Sequence, residues 1–252
     1  MFEIISSTFH DIEINMDDCR GQTYDNAANM SGKYSGVQAR VLGINKTAPY
    51  IPCMAHSLNL SGTAAAESCT DAQTYFSLVQ NLYTFLSGST YRWTLLKNAV
   101  ENENTTRGQN APEDKSRARL PKRLSDTRWS ARADALRSLS LHYDTYKSAL
   151  QTLGNDKLQK NETRTDAVNL VKKLVKRETA FLTSFWSTIL ERINETSKLL
   201  QSETIDLGTA VALLKSLLEF LTSQRHNFEQ YNDQANNFCI KTKDFEKTNT
   251  PP

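Results

Sequence analysis

The sequence is poor in the residues that build disulfide scaffolds, phosphate-binding glycine loops and membrane spans. It contains 4 cysteines, 9 glycines and 6 prolines in 252 residues. A chain of this length does not need disulfide staples, so its few, irregularly spaced cysteines fit a reducing compartment. No apolar run approaches the roughly 18 residues that a membrane helix needs, and the start lacks a signal-peptide pattern. We therefore expect a soluble, non-secreted protein.

An excess of charge of one sign is also missing. The formal net charge is only +2 at pH 7, and 38% of the residues are hydrophobic. Bulk charge therefore does not draw the chain to nucleic acid, and any electrostatic footprint must come from local clustering. Such a cluster lies between Lys115 and Arg132. The hydrophobic content is enough to bury one sizeable core, so disorder is not the default expectation.

Residues 1–61 have the pattern of a mixed α/β region. A helix is predicted over 27–42, with Val37, Val41 and Ile44 on its apolar face, and a brief strand over 50–53. The first residues alternate loosely before any cap, which suggests a start in mid-domain.

From residue 61 onward, apolar residues recur at helical spacing. A helix over 72–86 is predicted to start at an Asp71 cap and to end at Gly88, and the polar stretch 101–116 is predicted to be a solvated loop. Three further apolar stripes at helical spacing cover 131–150, 166–200 and 207–221. Helices of this length need partner helices to bury their stripes, so the sequence predicts an antiparallel helical array over 130–232. The polar end is expected to be frayed.

Asp25 lies in the first informative block, residues 19–32, just before a predicted helix. Backbone N–H groups and the helix dipole would keep its carboxylate ionised and able to bind a hard divalent cation. An aspartate in this position is alternatively a simple N-cap.

Cys53 and His56 lie in the second block, residues 50–60. Three residues apart on a helical turn, they face the same way and could coordinate zinc, but no second pair of ligands has a suitable spacing. The alternative is a buried Cys–His turn that shapes a site.

The third block, residues 120–129, contains Lys122, Arg123, Arg128 and Trp129. Clustered basic side chains can neutralise phosphates, and an adjacent aromatic ring can stack on an unpaired base. The alternative is a solvated basic loop next to a core tryptophan.

Taken together, the three blocks resemble the hAT superfamily of DNA transposases, in its branch related to the MYM-type zinc-finger proteins. The resemblance covers about residues 5–142, and its third block ends in Asp126-Thr127-Arg128-Trp129. It implies a nuclear protein with an RNase H-like fold, an Asp, Asp, Glu triad for two divalent metals (Mg or Mn), and a large all-α insertion before the Glu.

The resemblance also assigns roles and domains. Asp25 matches the second acidic residue, the Cys53/His56 pair matches the motif that follows it, and Trp129 matches an aromatic associated with a flipped base. The implied fold class is mixed α/β and mainly helical. Its domains are a partial RNase H-like core (1–65), the start of the insertion with a polar loop (66–116), a helical insertion domain (117–240) and a disordered tail (241–252).

The rest of the triad is not found. Only Asp11, Asp17 and Asp18 precede Asp25, none in the expected motif context, and the chain ends before the region that carries the final Glu. Two-metal catalysis needs carboxylates around both metals, so we expect an internal fragment that binds DNA, without cleavage and without a firm cofactor. The alternatives are a protein-interaction scaffold formed by the helices, or a decayed transposon relic.

Overall fold

The computed structural model of the protein describes residues 1–107, 120–124 and 129–248, and for Arg107, Trp129 and 239–248 it describes only the backbone. The fold is mainly helical, with 76% helix and 3% strand. Two short strands pair in parallel to form a small sheet. The predicted mainly helical character is confirmed, whereas two strands alone do not define an RNase H-like sheet.

The N-terminal unit is built from short elements around a small core of Val37, Val41 and Ala48. A 3₁₀ turn, Met16–Asp18, precedes the first strand. The other elements, in chain order, are α1 (Phe2–Asp11), β1 (Gln22–Tyr24), α2 (Ala28–Ser31), α3 (Val37–Ile44) and β2 (Tyr50–Pro52).

The helix predicted over 27–42 is interrupted, because α2 and α3 are separate helices. Between them Gly32 and Gly36 approach closely: a Cβ on Gly36 would lie 2.5 Å from the Gly32 nitrogen. Only glycine permits this contact between backbones. Val37 and Val41 are buried as predicted, but Ile44, at the end of α3, is 54% exposed.

The remainder of the chain is helical. The helices are α4 (Met54–Glu67), α5 (Thr70–Ser87), α6 (Thr90–Arg107), α7 (Trp129–Leu141), α8 (Tyr143–Asn155), α9 (Asn161–Leu174), α10 (Arg177–Leu199), α11 (Leu207–Ser223) and α12 (Phe228–Thr248). The main core runs from Ala66 to Ala235, and the closest helix pairs are α8 with α9, α10 with α7 and α10 with α12. Ala66 of α4 belongs to this core, and Leu58 of the same helix packs against it.

Several predicted helix ends differ from the structure. Cys69, not Asp71, is the N-cap of α5, whereas Gly88 ends that helix as predicted. The helix predicted over 131–150 divides at His142, and the one predicted over 166–200 divides at 175–176.

Two segments predicted to lack structure are helical. α6 continues through 101–107, where a loop was expected, because Glu103 accepts a hydrogen bond from Thr145 and lies 2.7 Å from the buried His142 Nδ1. α12 extends to Thr248, so residues 241–248 are helical rather than a disordered tail. The remaining parts of both predictions, 108–116 and 249–252, lie outside the described residues.

Candidate functional site

The parallel pairing of β1 and β2 brings the first two sequence blocks together. Tyr24 pairs with Pro52 at the last position of the register, so Asp25 and Cys53 leave the sheet at the same edge. The Cys53 backbone N–H donates to the Tyr24 carbonyl at 3.0 Å. The Tyr24 and Tyr50 rings stack with centroids 6.0 Å apart. Burial raises the pKa of Tyr24, and the nearby Cys19 adds to the shift.

Asp25 is exposed at this edge and forms a turn rather than the helix cap itself. Its Oδ1 accepts a hydrogen bond from the Ala27 backbone N–H at 3.2 Å, and Ala27 is the N-cap residue of α2. The second carboxylate oxygen faces no hydrogen-bond donor in the part of the chain that the structure covers. An exposed carboxylate held by one backbone group can still bind a cation when other ligands are supplied.

Cys53 and His56 lie at the start of α4, on the other side of the same edge. Cys53 is the N-cap residue and His56 is in the first turn, and both are half-buried. One hydrogen bond ties this turn to the residue after Asp25, because Asn26 Nδ2 donates to Ser57 Oγ at 3.3 Å. A second links β2 to Asp25 itself, because the Tyr50 hydroxyl donates to the Asp25 carbonyl at 3.4 Å.

A metal centre is not assembled by these side chains. Across residues 1–107, 120–124 and 129–248, no group of three or more His, Cys, Asp or Glu side chains is arranged to hold a metal ion. The zinc interpretation of Cys53 and His56 therefore lacks its further ligands. Asp25 likewise belongs to no such group among the described residues.

The basic block is attached to the helical array through its segment 120–124. The Leu124 backbone N–H donates to Gln80 Oε1 of α5 at 3.0 Å, and Leu124 packs against the main core. Lys122 Nζ lies 2.6 Å from Asp134 Oδ2 of α7, and Arg123 is exposed. Arg128 lies outside the described residues, and Trp129 begins α7 with its side chain not described.

The structure thus brings Asp25 and Cys53 to one sheet edge, with His56 in the first turn of the helix that begins there, whereas the segment with Lys122 and Arg123 is attached to α5 and α7. Asn26, Ser57 and Tyr50 also belong to the strand edge, although the sequence does not single them out. All three lie inside the two recognised blocks. Their pairing depends on the strand register, which sequence spacing does not reveal.

No protein-family model matches the chain, and no solved structure matches it significantly. Within the described residues, no helix is both long and apolar enough to cross a membrane.

Proposed function

We propose that the chain is part of a hAT-like, transposase-derived nuclear protein that binds nucleic acid and does not cleave DNA by itself. The observation that supports the proposal is the sheet edge at which Asp25 and Cys53 follow paired strands, with His56 in the first turn of the helix that begins there. In the resemblance, the Cys53/His56 pair matches the motif that follows the acidic residue along the chain. Residues 28 positions apart in the chain have become neighbours there.

The nucleic-acid face in this proposal is the basic block, with Lys122, Arg123 and Arg128 on phosphates and Trp129 on an unpaired base. Lys122 is held by Asp134, but its side chain is 62% exposed. Exposed ion pairs contribute only about 0–1 kcal/mol, so a phosphate competes with this carboxylate at little cost. Arg123 is exposed and ready for contact.

Binding to a labelled hairpin-ended duplex across a salt series tests this face. The triple variant Lys122→Ala, Arg123→Ala, Arg128→Ala should weaken binding and flatten its salt dependence, by about 0.9 in log–log slope for each phosphate that is no longer neutralised. Trp129→Ala should weaken binding to the hairpin end more than to a blunt duplex, because stacking needs an unpaired base.

A matched control removes the same charge elsewhere. Lys198, Lys215 and Arg225 are exposed on or just after α10 and α11, away from the basic block in sequence. Changing all three to Ala should leave affinity and slope close to those of the unchanged chain. If the control and the basic-block variant lose equal DNA affinity, binding depends only on the net charge of the chain. That result would contradict the proposed face.

Absence of cleavage is tested separately at Asp25. The proposal expects no strand cleavage by the isolated chain in Mg²⁺ or Mn²⁺, because one exposed carboxylate cannot position two metals. Cleavage in Mn²⁺ that disappears in Asp25→Asn would overturn it.

A protein-interaction scaffold is the second candidate, and helix α11 is the observation that favours it. Leu207 and Leu218 lie on this leucine-rich helix and are 74% and 65% exposed. By contrast, Trp186 is buried, and Phe181 and Phe185 pack against the main core. Exposed apolar surface is typical of an interaction site. Leu218→Lys should abolish partner or self-association while leaving DNA affinity unchanged if this function is correct.

A further inference from the structure

The strongest run of positive charge in the helical array lies at the corner between α9 and α10, outside the recognised blocks. Lys172 and Lys173 occupy the last turn of α9, Lys176 is the N-cap residue of α10, and Arg177 is its first residue. All four residues are exposed. We call this group, 172–177, the basic corner.

The basic corner is held on a rigid base. Leu174, between the lysines, is buried in the main core, and its carbonyl accepts a hydrogen bond from the buried Tyr143 hydroxyl at 2.7 Å. The Lys173 carbonyl accepts from Thr179 Oγ1 at 2.8 Å. These two hydrogen bonds fix the backbone at the corner. The attached lysines therefore stay close together despite the repulsion between their charges.

The lysines of the basic corner are less compensated than Lys122 of the predicted block. Among the residues that the structure describes, Lys172, Lys173 and Lys176 form no ion pair, whereas Lys122 is paired with Asp134 at 2.6 Å. On α8, which packs closely against α9, the Asp144 carboxylate already lies 2.7 Å from Lys147 Nζ.

We propose that the basic corner is a second phosphate-contacting surface, by which the helical array binds a nucleic-acid backbone. This inference rests on the proposed nucleic-acid-binding function and assigns part of it to residues outside the recognised blocks. Such a contact positions the duplex without reading its sequence, because phosphates carry no base information.

A polyelectrolyte fits this corner better than an acidic peptide or a membrane. Neutralising successive phosphates releases condensed counterions, a gain that a short acidic peptide cannot supply. Membrane surfaces are bound by basic residues together with inserted apolar side chains. At the basic corner Leu174 is buried, and Val175 is only 40% exposed.

The test compares three-charge variants of the full chain on two duplexes of unrelated sequence over a salt series. The corner variant is Lys172→Ala, Lys173→Ala, Lys176→Ala. It keeps Arg177, because Arg177 donates a hydrogen bond to Asn232 of α12. A charge-preserving version with Arg at the same three positions controls for helix damage, and thermal unfolding checks that each variant folds.

The corner variant should bind both duplexes about tenfold or more weakly at low salt, with a slope reduced by about 0.9 for each phosphate left without its lysine. The arginine version should restore binding. The Lys198, Lys215, Arg225 control should bind like the unchanged chain.

Three results would overturn the inference in distinguishable ways. If the unchanged chain binds duplex but the corner and control variants bind equally well, the basic corner is not a contact and the proposed function stands. If the unchanged chain binds no duplex at low salt, both proposals fail. If the unchanged chain binds vesicles of anionic lipid but does not bind duplex, the corner is assigned to membranes instead.

Discussion

The two parts of the molecule are stabilised by different means. The helical array buries a continuous apolar core in which Leu136, Leu150 and Leu153 have no exposed surface. The N-terminal unit buries only Val37, Val41 and Ala48 as its hydrophobic core. Apolar burial contributes about 25 cal/mol per Å², so the smaller unit has little of this stabilisation to set against chain entropy.

Amide side chains take over part of that role in the N-terminal unit. Asn45, 6% exposed, donates to the carbonyls of Met16, Asp17 and Cys19 at 2.9–3.0 Å. Gln22 Nε2 donates to the carbonyls of Gln38 and Ala48. An amide NH₂ has two hydrogens, so the three Asn45 contacts share them. Hydrogen bonds are directional, and a unit held by them should fail locally when one amide is removed.

Leu150→Ala should have the largest effect, on the helical array. Deleting a fully buried leucine side chain leaves a cavity, and such changes cost about 2–5 kcal/mol. The free energy of unfolding by urea should fall by this amount, whereas Leu158→Ala, at a position 94% exposed, should change it little. Equal stability of the two variants would mean that the array does not form this core.

Asn45→Ala should have the next largest effect and should confine it to the N-terminal unit. Three carbonyls and Thr47 lose their partner, and unsatisfied buried groups cost about 1–3 kcal/mol. Amide hydrogen exchange should accelerate around residues 15–24 and remain slow in α8. Asn29→Ala, at an exposed position, is the control. Faster exchange throughout the chain would contradict the division into two parts.

Tyr75→Phe should cost about 1 kcal/mol, the usual net value of one hydrogen bond. The buried Tyr75 hydroxyl donates to Thr183 Oγ1 at 2.9 Å, and burial raises the pKa of Tyr75 far above its usual range. The ring remains to fill its space, so only the bond is lost. A midpoint shift in urea larger than that of Leu150→Ala would show that polar contacts dominate the array.

The smallest effect is expected from acid at the start of α11. Side-chain and backbone hydrogen bonds from Thr209 lower the pKa of Asp206, the N-cap residue. Because the folded pKa is depressed, this stabilisation is complete above the unfolded value of about 3.9 and is lost as pH falls through the folded pKa. Protection of the Thr209 amide, measured against its intrinsic exchange rate at each pH, should therefore fall at low pH, and Asp206→Asn should remove that dependence.

Periodicity predicted the helical array because the apolar stripes of α5, α8, α10 and α11 recur at three- and four-residue spacing. It did not predict where they break. The stripe through 131–150 continues across His142, whose burial against Glu103 divides α7 from α8. That contact joins residues 39 positions apart, so local helix propensity does not predict it.

At the candidate site, the sequence supplied Asp25, Cys53 and His56 but not their arrangement. Strand register decides that arrangement, together with the bond from Asn26 to Ser57. The basic corner is not evident from periodicity for a different reason. Its lysines lie on either side of a break within the helix that the sequence predicts over 166–200.

The connection between the two parts is a single residue. β2 ends at Pro52 and α4 begins at Met54, so Cys53 alone links sheet and helix. The same residue is also a hydrogen-bond donor, because the Cys53 amide donates to the Tyr24 carbonyl beside Asp25. Any change in the direction in which α4 leaves the sheet therefore has to be accommodated by the backbone torsions of Cys53, next to this hydrogen bond.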